Sequence, residues 1–378
     1  MKGHKEWKKR WFTLAGDCLT FHEDENTPDV AGSIQLDQGC DVVRHKAIKD
    51  EDGSNKKVWP LKVSVGDRKL FIRAATKKER HSWFAAISSR IAHLNYLKHC
   101  DTTGERPDSR LIGALCATSV PHIDLSFKPI TPAAIDALTK GLPGRDELEG
   151  IALEDTNLSP AQFVSLCEVL EKLGSVKQFN FAHNKLDGSE GAKFAAALNP
   201  EYVTDINLSK NRLGDDFVVA IAPTLGKCTQ LNTLDLEECG LTAASATALV
   251  EQLTAGTIVL QDLTLSGNEL KDAGVLALLP LFSKFSFKRV RLAGNGIGDE
   301  GVVALAEALA KTSVEELDLS NNRIGPKGAL ALKALMESKD TFHTLILSGN
   351  NNLVTGADAQ ALLLPIGLKI SSLTYSRN

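Results

Sequence analysis

The sequence predicts two domains, a small β-barrel closed by one helix and then an α/β horseshoe of repeats. Six short segments with alternating apolar residues, followed by a helical segment, predict the first domain. A frame of strand residues ending in Asn recurs every 27 to 29 residues and predicts the second. The two parts of the chain also differ in net charge. Residues 1–100 carry 19 Lys or Arg and 13 Asp or Glu, whereas the remaining residues carry 24 Lys or Arg and 34 Asp or Glu.

The composition of the 378-residue chain is that of an ordinary globular protein, with 43% hydrophobic and 24% charged residues. The chain has no run of 18 apolar residues and no signal-peptide pattern at its start. Its seven Cys are odd in number and form no C-x-x-C, which indicates reduced thiols rather than disulfides or zinc ligands. We therefore expect a cytoplasmic protein.

The first domain is predicted from segments separated by turn residues. The strand-like segments are "KKRWFTLAG", "CLTFHED", "GSIQLDQG", "CDVVRHKA", "KVWPLKVSV" and "KLFIRAA". Thr76-Lys77-Lys78-Glu79 has the T-x-x-E form of a capping box and predicts the start of a helix. Phe84, Ile87, Ile91 and Leu94 follow at helical spacing, so this helix should pack one face on the strands.

The segments "GHKEWKKRWFTL", "CLTF", "GSIQL" and "TKKERHSWFAAI" together resemble a pleckstrin homology (PH) domain, with Trp83 at the position of the family's helix Trp. The resemblance implies a bent barrel over residues 1–98 and a phosphoinositide site on the first hairpin. Lys8 and Arg10 fit the last two basic positions of that site, and Lys2 or Lys5 fits the first loosely. We therefore expect lipid binding, if present, at Lys5, Lys8 and Arg10.

Other interpretations of this basic hairpin stay open. The cations could form a solvated rim or attract an anionic membrane weakly. Nucleic acid is not expected as a partner, because Trp7 and Trp11 are explained by the fold and the remainder of the chain is acidic. The family's first strand has no room before Gly3, and the repeats stop at the Asn378 position, so we expect a fragment of a longer protein.

The repeats begin at ten evenly spaced positions: 120, 148, 176, 203, 231, 260, 287, 314, 342 and 370. In each unit a short strand points two apolar residues inward, such as Leu317 and Leu319. The ninth position is Asn in seven of ten copies and should bond backbone groups of its own turn and of the neighbouring repeat. Segments such as "DEGVVALAEALAKT" predict a helix in the remainder of each unit.

A strand and a full helix in about 28 residues resemble the ribonuclease-inhibitor class of leucine-rich repeats. The resemblance covers residues 120–378, as nine repeats and a truncated tenth, and implies strands on the concave side. Residues 99–119 are predicted as a linker, "CDTTGERPDSR", and a cap, "LIGALCATS".

The concave face should carry an acidic patch with a basic step after it, and this patch is the predicted docking surface for a protein. Its candidate residues are Asp205, Asp235, Glu237, Glu238, Asp262, Arg289 and Arg291. The alternative is that these positions are only solvated.

Catalytic signals are weak. The sequence has no H-x-x-x-H pair and no G-x-x-x-x-G-K-[ST] loop, and Cys239 falls on a buried position. We expect no enzyme and no cofactor.

The predicted function is an adaptor that binds protein on its repeats and membrane phosphoinositide or protein on its PH-like domain. Attachment to lipid would place it at the inner face of the plasma membrane. The domain order resembles the CARMIL family of actin-capping-protein regulators, which implies a role in the cytoskeleton. Two alternatives remain: a GTPase-activating protein, because the repeat class resembles the activator of the nuclear-transport GTPase, and a scaffold that binds only protein.

Overall fold

The computed structural model describes residues 8–26, 29–37, 39–49, 57–312, 314–338, 343–350 and 372–374. The chain divides into two compact units. Unit 1 contains Met1–Pro121 and Thr131–Leu148, and unit 2 contains His122–Ile130 and Glu149–Asn378. Each unit is built around its own set of strands and helices.

Unit 1 contains two small antiparallel sheets. The first has the order β1-β2-β3, with strands β1 (Trp11–Ala15), β2 (Cys18–His22) and β3 (Val30–Gln35). In the second, the long strand β6 (Lys57–Val65) pairs with each of the other three, β4 (Cys40–Arg44), β5 (Ile48–Lys49) and β7 (Arg68–Ala74). All six predicted strand segments are strands in the structure, and β5 is an addition.

Helix α1 (Lys77–Thr103) begins where the sequence predicts, since the Thr76 hydroxyl accepts a hydrogen bond from the Glu79 amide at 3.0 Å. Its inner face meets the strands through Ile87 and Ile91, and Trp83 packs at the edge of the same core. The core side chains from the strands are Leu19, Cys40, Leu61, Val63 and Ile72, and Leu36 joins them from just after β3. The helix ends at Gly104, whose φ of 74° is the left-handed conformation that Gly adopts easily.

Two further helices complete unit 1: α2 (Ser109–Cys116) and α3 (Pro132–Gly141). Helix α1 therefore runs five residues into the segment predicted as a linker, and α2 lies in the segment predicted as a cap. Helix α3 falls in the first repeat of the sequence frame, yet it belongs to unit 1 and packs on α1.

A buried hydrogen-bond cluster joins these helices. Ser89 on α1 is fully buried and donates to the Gly141 carbonyl at the end of α3 at 2.7 Å. Arg145 is 3% exposed and donates to the Ser89 hydroxyl at 2.9 Å and to the Leu115 carbonyl at 3.3 Å. Burial lowers the pKa of Arg145 to about 10. The cluster ties α1, α2 and α3 together within unit 1.

Unit 2 contains a parallel sheet in which ten strands pair in chain order. The strands are β8 (His122–Asp124), β9 (Gly150–Ala152), β10 (Gln178–Asn180), β11 (Asp205–Asn207), β12 (Thr233–Asp235), β13 (Asp262–Thr264), β14 (Phe287–Arg291), β15 (Val314–Asp318), β16 (Thr344–Ile346) and β17 (Ser372–Thr374). Each strand starts within the first three residues of a predicted repeat. The predicted α/β horseshoe is confirmed.

The helices of unit 2 alternate with these strands: α4 (Pro160–Leu173), α5 (Gly191–Ala197), α6 (Gly214–Leu225), α7 (Ala243–Leu253), α8 (Lys271–Lys284), α9 (Asp299–Leu309) and α10 (Pro326–Glu337). The predicted inward residues Leu317 and Leu319 are both fully buried. Within the described residues, no helix combines the length and hydrophobicity that crossing a bilayer requires.

The predicted Asn ladder is present from Asn184 to Asn350, and Asn378 lies outside the described residues. Asn211 is typical of it. Its carbonyl oxygen accepts from the Asn184 and Leu186 amides, and its Nδ2 donates to the Phe181 and Leu208 carbonyls. Each Asn thereby bonds its own turn to the preceding repeat, as expected from its buried position.

Candidate functional site

The register of unit 2 aligns the outward side chains of its strands into two rows across the concave face. The first concave row contains His122, Gly150, Gln178, Asp205, Thr233, Asp262, Arg289, Glu316 and Thr344. The second contains Asp124, Ala152, Asn180, Asn207, Asp235, Thr264, Arg291, Asp318 and Ile346. Neighbouring members of a row are about 4.8 Å apart, because this is the spacing of paired strands.

The two ends of these rows differ in charge. From β8 to β12 the described strands carry three Asp and no Lys or Arg on either row. From β13 to β16 the rows carry three acidic residues and two Arg. Arg289 is bonded to Asp262, and Arg291 to Glu316 at 2.8 Å. The basic step is therefore paired with its acidic neighbours, and the acidic surface lies toward β8.

Asp262 corrects one expectation. The sequence predicts it as an exposed docking residue, whereas it is only 7% exposed and accepts a hydrogen bond from Arg289 Nε. Arg289 comes from the adjacent strand, and the same contact raises the Arg289 pKa above its ordinary value. The ion pair between strands covers Asp262.

Acidic residues of the second concave row also have a structural role. Oδ1 of Asp124 accepts from the Ser126 amide at 2.9 Å, and Oδ1 of Asp235 accepts from the Glu237 amide at 3.0 Å. Asn180 and Asn207 make the same bond to the amide two residues later. Because an amide oxygen closes this turn as well as a carboxylate does, the negative charge at Asp124 and Asp235 is not required by the turn.

A hollow of about 320 Å³ lies on the concave face between β8 and β12. Gly150 and Ala152 have the smallest pair of outward side chains of any described strand. A Cβ at Gly150 would clash with His122 Nδ1, so the imidazole lies against this Gly. Asp205 stands at the rim and accepts from the Thr204 hydroxyl at 2.7 Å and from Gln178 Nε2 at 3.1 Å.

A third row, the turn row, follows the strands at the eighth position of each repeat. Every member has a positive φ, from 50° to 76°. Its members are Phe127, Asp155, His183, Lys210, Glu238, Gly267, Gly294, Asn321 and Gly349. A left-handed conformation costs a residue with a side chain about 1–2 kcal/mol. The first five repeats keep side chains here at that cost, whereas three of the last four use Gly.

Phe127 is the most unusual member of the turn row. It is 71% exposed with a φ of 65°, so its ring is neither buried nor favoured by its backbone. Glu238, one of the predicted docking residues, occupies the same position with a φ of 51° and is exposed. Residues held in such conformations occur preferentially at functional sites.

The basic hairpin of unit 1 differs in part from the prediction. Strand β1 begins at Trp11, so Lys8 and Arg10 precede it, whereas Phe12 and Leu14 lie on the strand and pack against the core. Lys8 is exposed, whereas Arg10 is half-buried and bonded to Glu23 Oε1 at 3.2 Å. Lys5 lies outside the described residues.

Among the predicted protein-binding residues, the structure brings Asp205 and Asp235 to the acidic end of the rows. It pairs Asp262, Arg289 and Arg291 at the other end. Sequence reasoning missed the hollow and the residues Asp124 and Phe127. The third, fifth and eighth positions of the repeat frame identify all three features once the register is known.

Comparisons with known proteins agree with the two-domain fold. Residues 1–92 match the PH domain model, and residues 258–279, 283–306 and 310–333 match a leucine-rich repeat model. Switch-associated protein 70 of Mus musculus is 36% identical over 92 residues, which are 24% of this chain and 15% of that protein. The Homo sapiens pleckstrin homology domain-containing family A member 6 is 32% identical over 85 residues, or 22% of this chain and 8% of that protein.

A longer match is to the tonsoku-like protein of Danio rerio, 24% identical over 200 residues, which are 49% of this chain and 14% of that protein. The chain thus spans only a small part of the curated relatives it matches. Its own sequence and fold contain an N-terminal PH domain followed by leucine-rich repeats.

Proposed function

We propose that this protein is a non-catalytic adaptor, with a protein partner on the concave face of its repeats and an anionic membrane lipid on its PH domain. The observation that carries the proposal is the unequal charge of the concave rows: three Asp and no Lys or Arg on the described strands from β8 to β12. A surface of one sign on a rigid parallel sheet favours docking of a partner of the opposite sign. Binding of both partners would recruit the protein partner to the cytoplasmic face of the plasma membrane.

The lipid half of the proposal depends on the hairpin cations. Lys8 is exposed and available to bind a phosphate group. Arg10 would have to leave its ion pair with Glu23 before it binds a phosphate group. Sedimentation with liposomes that contain phosphatidylinositol 4,5-bisphosphate tests this, and Lys5→Ala tests the cation outside the described residues. We expect Lys8→Ala with Arg10→Ala to abolish binding and Glu23→Gln to strengthen it.

The control for the lipid experiment is Arg68→Ala with Lys69→Ala, which removes two exposed cations at the β6–β7 turn, in the other sheet of unit 1. This double variant should bind nearly as well as the unchanged chain. The proposed lipid site would be contradicted if the chain bound neutral liposomes as well as those that contain phosphatidylinositol 4,5-bisphosphate. It would also be contradicted if both double variants lost the same amount of binding, because any surface cation would then contribute equally.

The protein half is tested by quantitative affinity capture from the source cell. Thr233→Arg places a large cation in the first concave row, and Val219→Arg makes the same substitution on α6, where the side chain is 52% exposed. We expect partners retained by the unchanged chain and by Val219→Arg to be lost from Thr233→Arg. Partners retained equally by both variants would contradict a concave docking surface.

A further inference from the structure

The hollow between β8 and β12 differs from the rest of the concave face because side chains are lacking there. Every other described strand places at least one side chain larger than Ala in the two rows, whereas β9 offers only Gly150 and Ala152. Neither the strand pairing nor the Asn ladder requires small residues at these outward positions. At Gly150 the His122 imidazole takes the space that a Cβ would need, and Ala152 forms the open floor of the hollow of about 320 Å³.

The lining of the hollow favours a cation. Asp124 and Asp205 contribute carboxylates, and Gln178, Asn180 and Asn207 contribute amide oxygens. No Lys or Arg is among the described residues that line it. Asp124 keeps a charge that its turn does not need, since Asn180 and Asn207 close the same turn with an amide.

The size of the hollow restricts what can enter. Pockets that hold small-molecule ligands have volumes of about 300 Å³ or more, and this hollow lies at that lower limit. Its volume therefore suits a single long side chain and is too small for a helix or a globular surface. A guanidinium or ammonium group on a flexible stem reaches the Ala152 floor and donates hydrogen bonds to the carboxylate and amide oxygens.

We infer that the hollow over Gly150 and Ala152 seats one Arg or Lys side chain from a basic segment of the protein partner. The inference rests on the proposed function, because it names the chemistry of the partner on the concave face. The segment lies along the β8–β12 end, because the Arg289 and Arg291 pairs leave the other end with less net negative charge.

Fluorescence anisotropy with labelled nona-arginine in 0.15 M salt tests this inference on the full chain. Ala152→Leu fills the hollow without changing charge, and we expect it to weaken binding about five-fold or more. Its control is Thr344→Leu, a half-buried position at the far end of the first concave row. Asp124→Asn should also weaken binding, whereas Asp318→Asn, whose Oδ1 accepts from the Ser320 amide in the same way, should change it less than two-fold.

The inference is overturned if nona-arginine does not bind, if Ala152→Leu binds as well as Thr344→Leu does, or if the two Asn variants lose affinity equally. Circular dichroism of each variant should match that of the unchanged chain, which the retained turn bonds favour. If the nona-arginine experiment fails while captured partners remain sensitive to Thr233→Arg, the concave docking surface stands and only the binding of a basic side chain in the hollow is excluded. If the nona-arginine experiment succeeds while captured partners are insensitive to Thr233→Arg, the proposed docking surface is excluded and the hollow remains a cation-binding feature.

Discussion

Strands β8 to β12 and strands β13 to β16 share one frame and one sheet, yet they present different surfaces. The first group leaves its carboxylates without cations on the concave rows and keeps side chains at the left-handed turn row. The second pairs Arg with acid between strands and mostly uses Gly at the turn row. Hydrogen bonding and packing determine the residues at the buried positions of each repeat. At the exposed positions, residues that are less favourable for the backbone than Gly, or that carry unpaired charge, therefore indicate a requirement other than stability.

The largest predicted effect concerns what the two groups share. Asn211→Ala and Asn322→Ala each remove a side chain that accepts from two backbone amides, at least one of them buried, and donates to buried carbonyls. We expect each to reduce the free energy of unfolding by about 3 kcal/mol, because buried amides are left unpaired. Urea unfolding followed by circular dichroism measures the loss. A clearly smaller loss for either variant would mean that the ladder is not equivalent in the two groups.

The next effect separates paired from weakly paired charges. Arg289→Gln leaves the 7% exposed Asp262 without its cation, and we expect a loss of about 1–2 kcal/mol. Lys177→Gln breaks the pair with Glu149, whose side chain is 45% exposed, so we expect almost no loss because solvent screens this pair. The same unfolding measurement compares them. Equal losses would show that burial of the acid does not distinguish the two pairs.

The turn row gives a smaller effect. Gly294 has a φ of 65° and a Cβ there would meet no atom closer than 3.6 Å, so Gly294→Ala tests backbone conformation alone and should cost about 1 kcal/mol. Phe127→Gly should stabilise the chain by a few tenths of a kcal/mol. Gly adopts the positive φ without strain, but this gain is partly offset by the greater conformational entropy of Gly in the unfolded chain. Calorimetric melting points report both. A loss of stability in Phe127→Gly would mean that the exposed ring is held by the fold.

The smallest effect is a pH dependence at Asp235. Burial raises the pKa of this carboxyl, so the folded state disfavours its ionised form. The stability contributed by the protonated form is present below the ordinary Asp pKa of about 3.9 and is lost as pH rises through the folded value. Asp235→Asn should therefore raise the melting temperature at pH 7, and the gain should vanish near pH 3.5. A gain independent of pH would have another origin.

Most of the fold could be predicted because it repeats. The strand starts, the inward Leu317 and Leu319, and the Asn ladder all follow from a frame seen ten times. The Arg289–Asp262 pair could not, because it joins residues 27 apart whose contact depends on strand register. The hollow was missed for a similar reason, since Gly150 signifies little until His122 and Gln178 are known to flank it. The engagement of Arg10 by Glu23 depends on a loop geometry that local sequence does not determine.

The cluster of Ser89 and Arg145 has a consequence for cutting this protein into parts. A division before residue 120 follows the repeat frame, but it separates α3 and Arg145 from α1 and from the Leu115 carbonyl. Neither product would keep unit 1 whole, since the PH-containing piece would lose a packed helix and expose Ser89. The unit that folds and the unit that repeats do not coincide here. A shortened chain for study of the PH domain should therefore extend through Leu148.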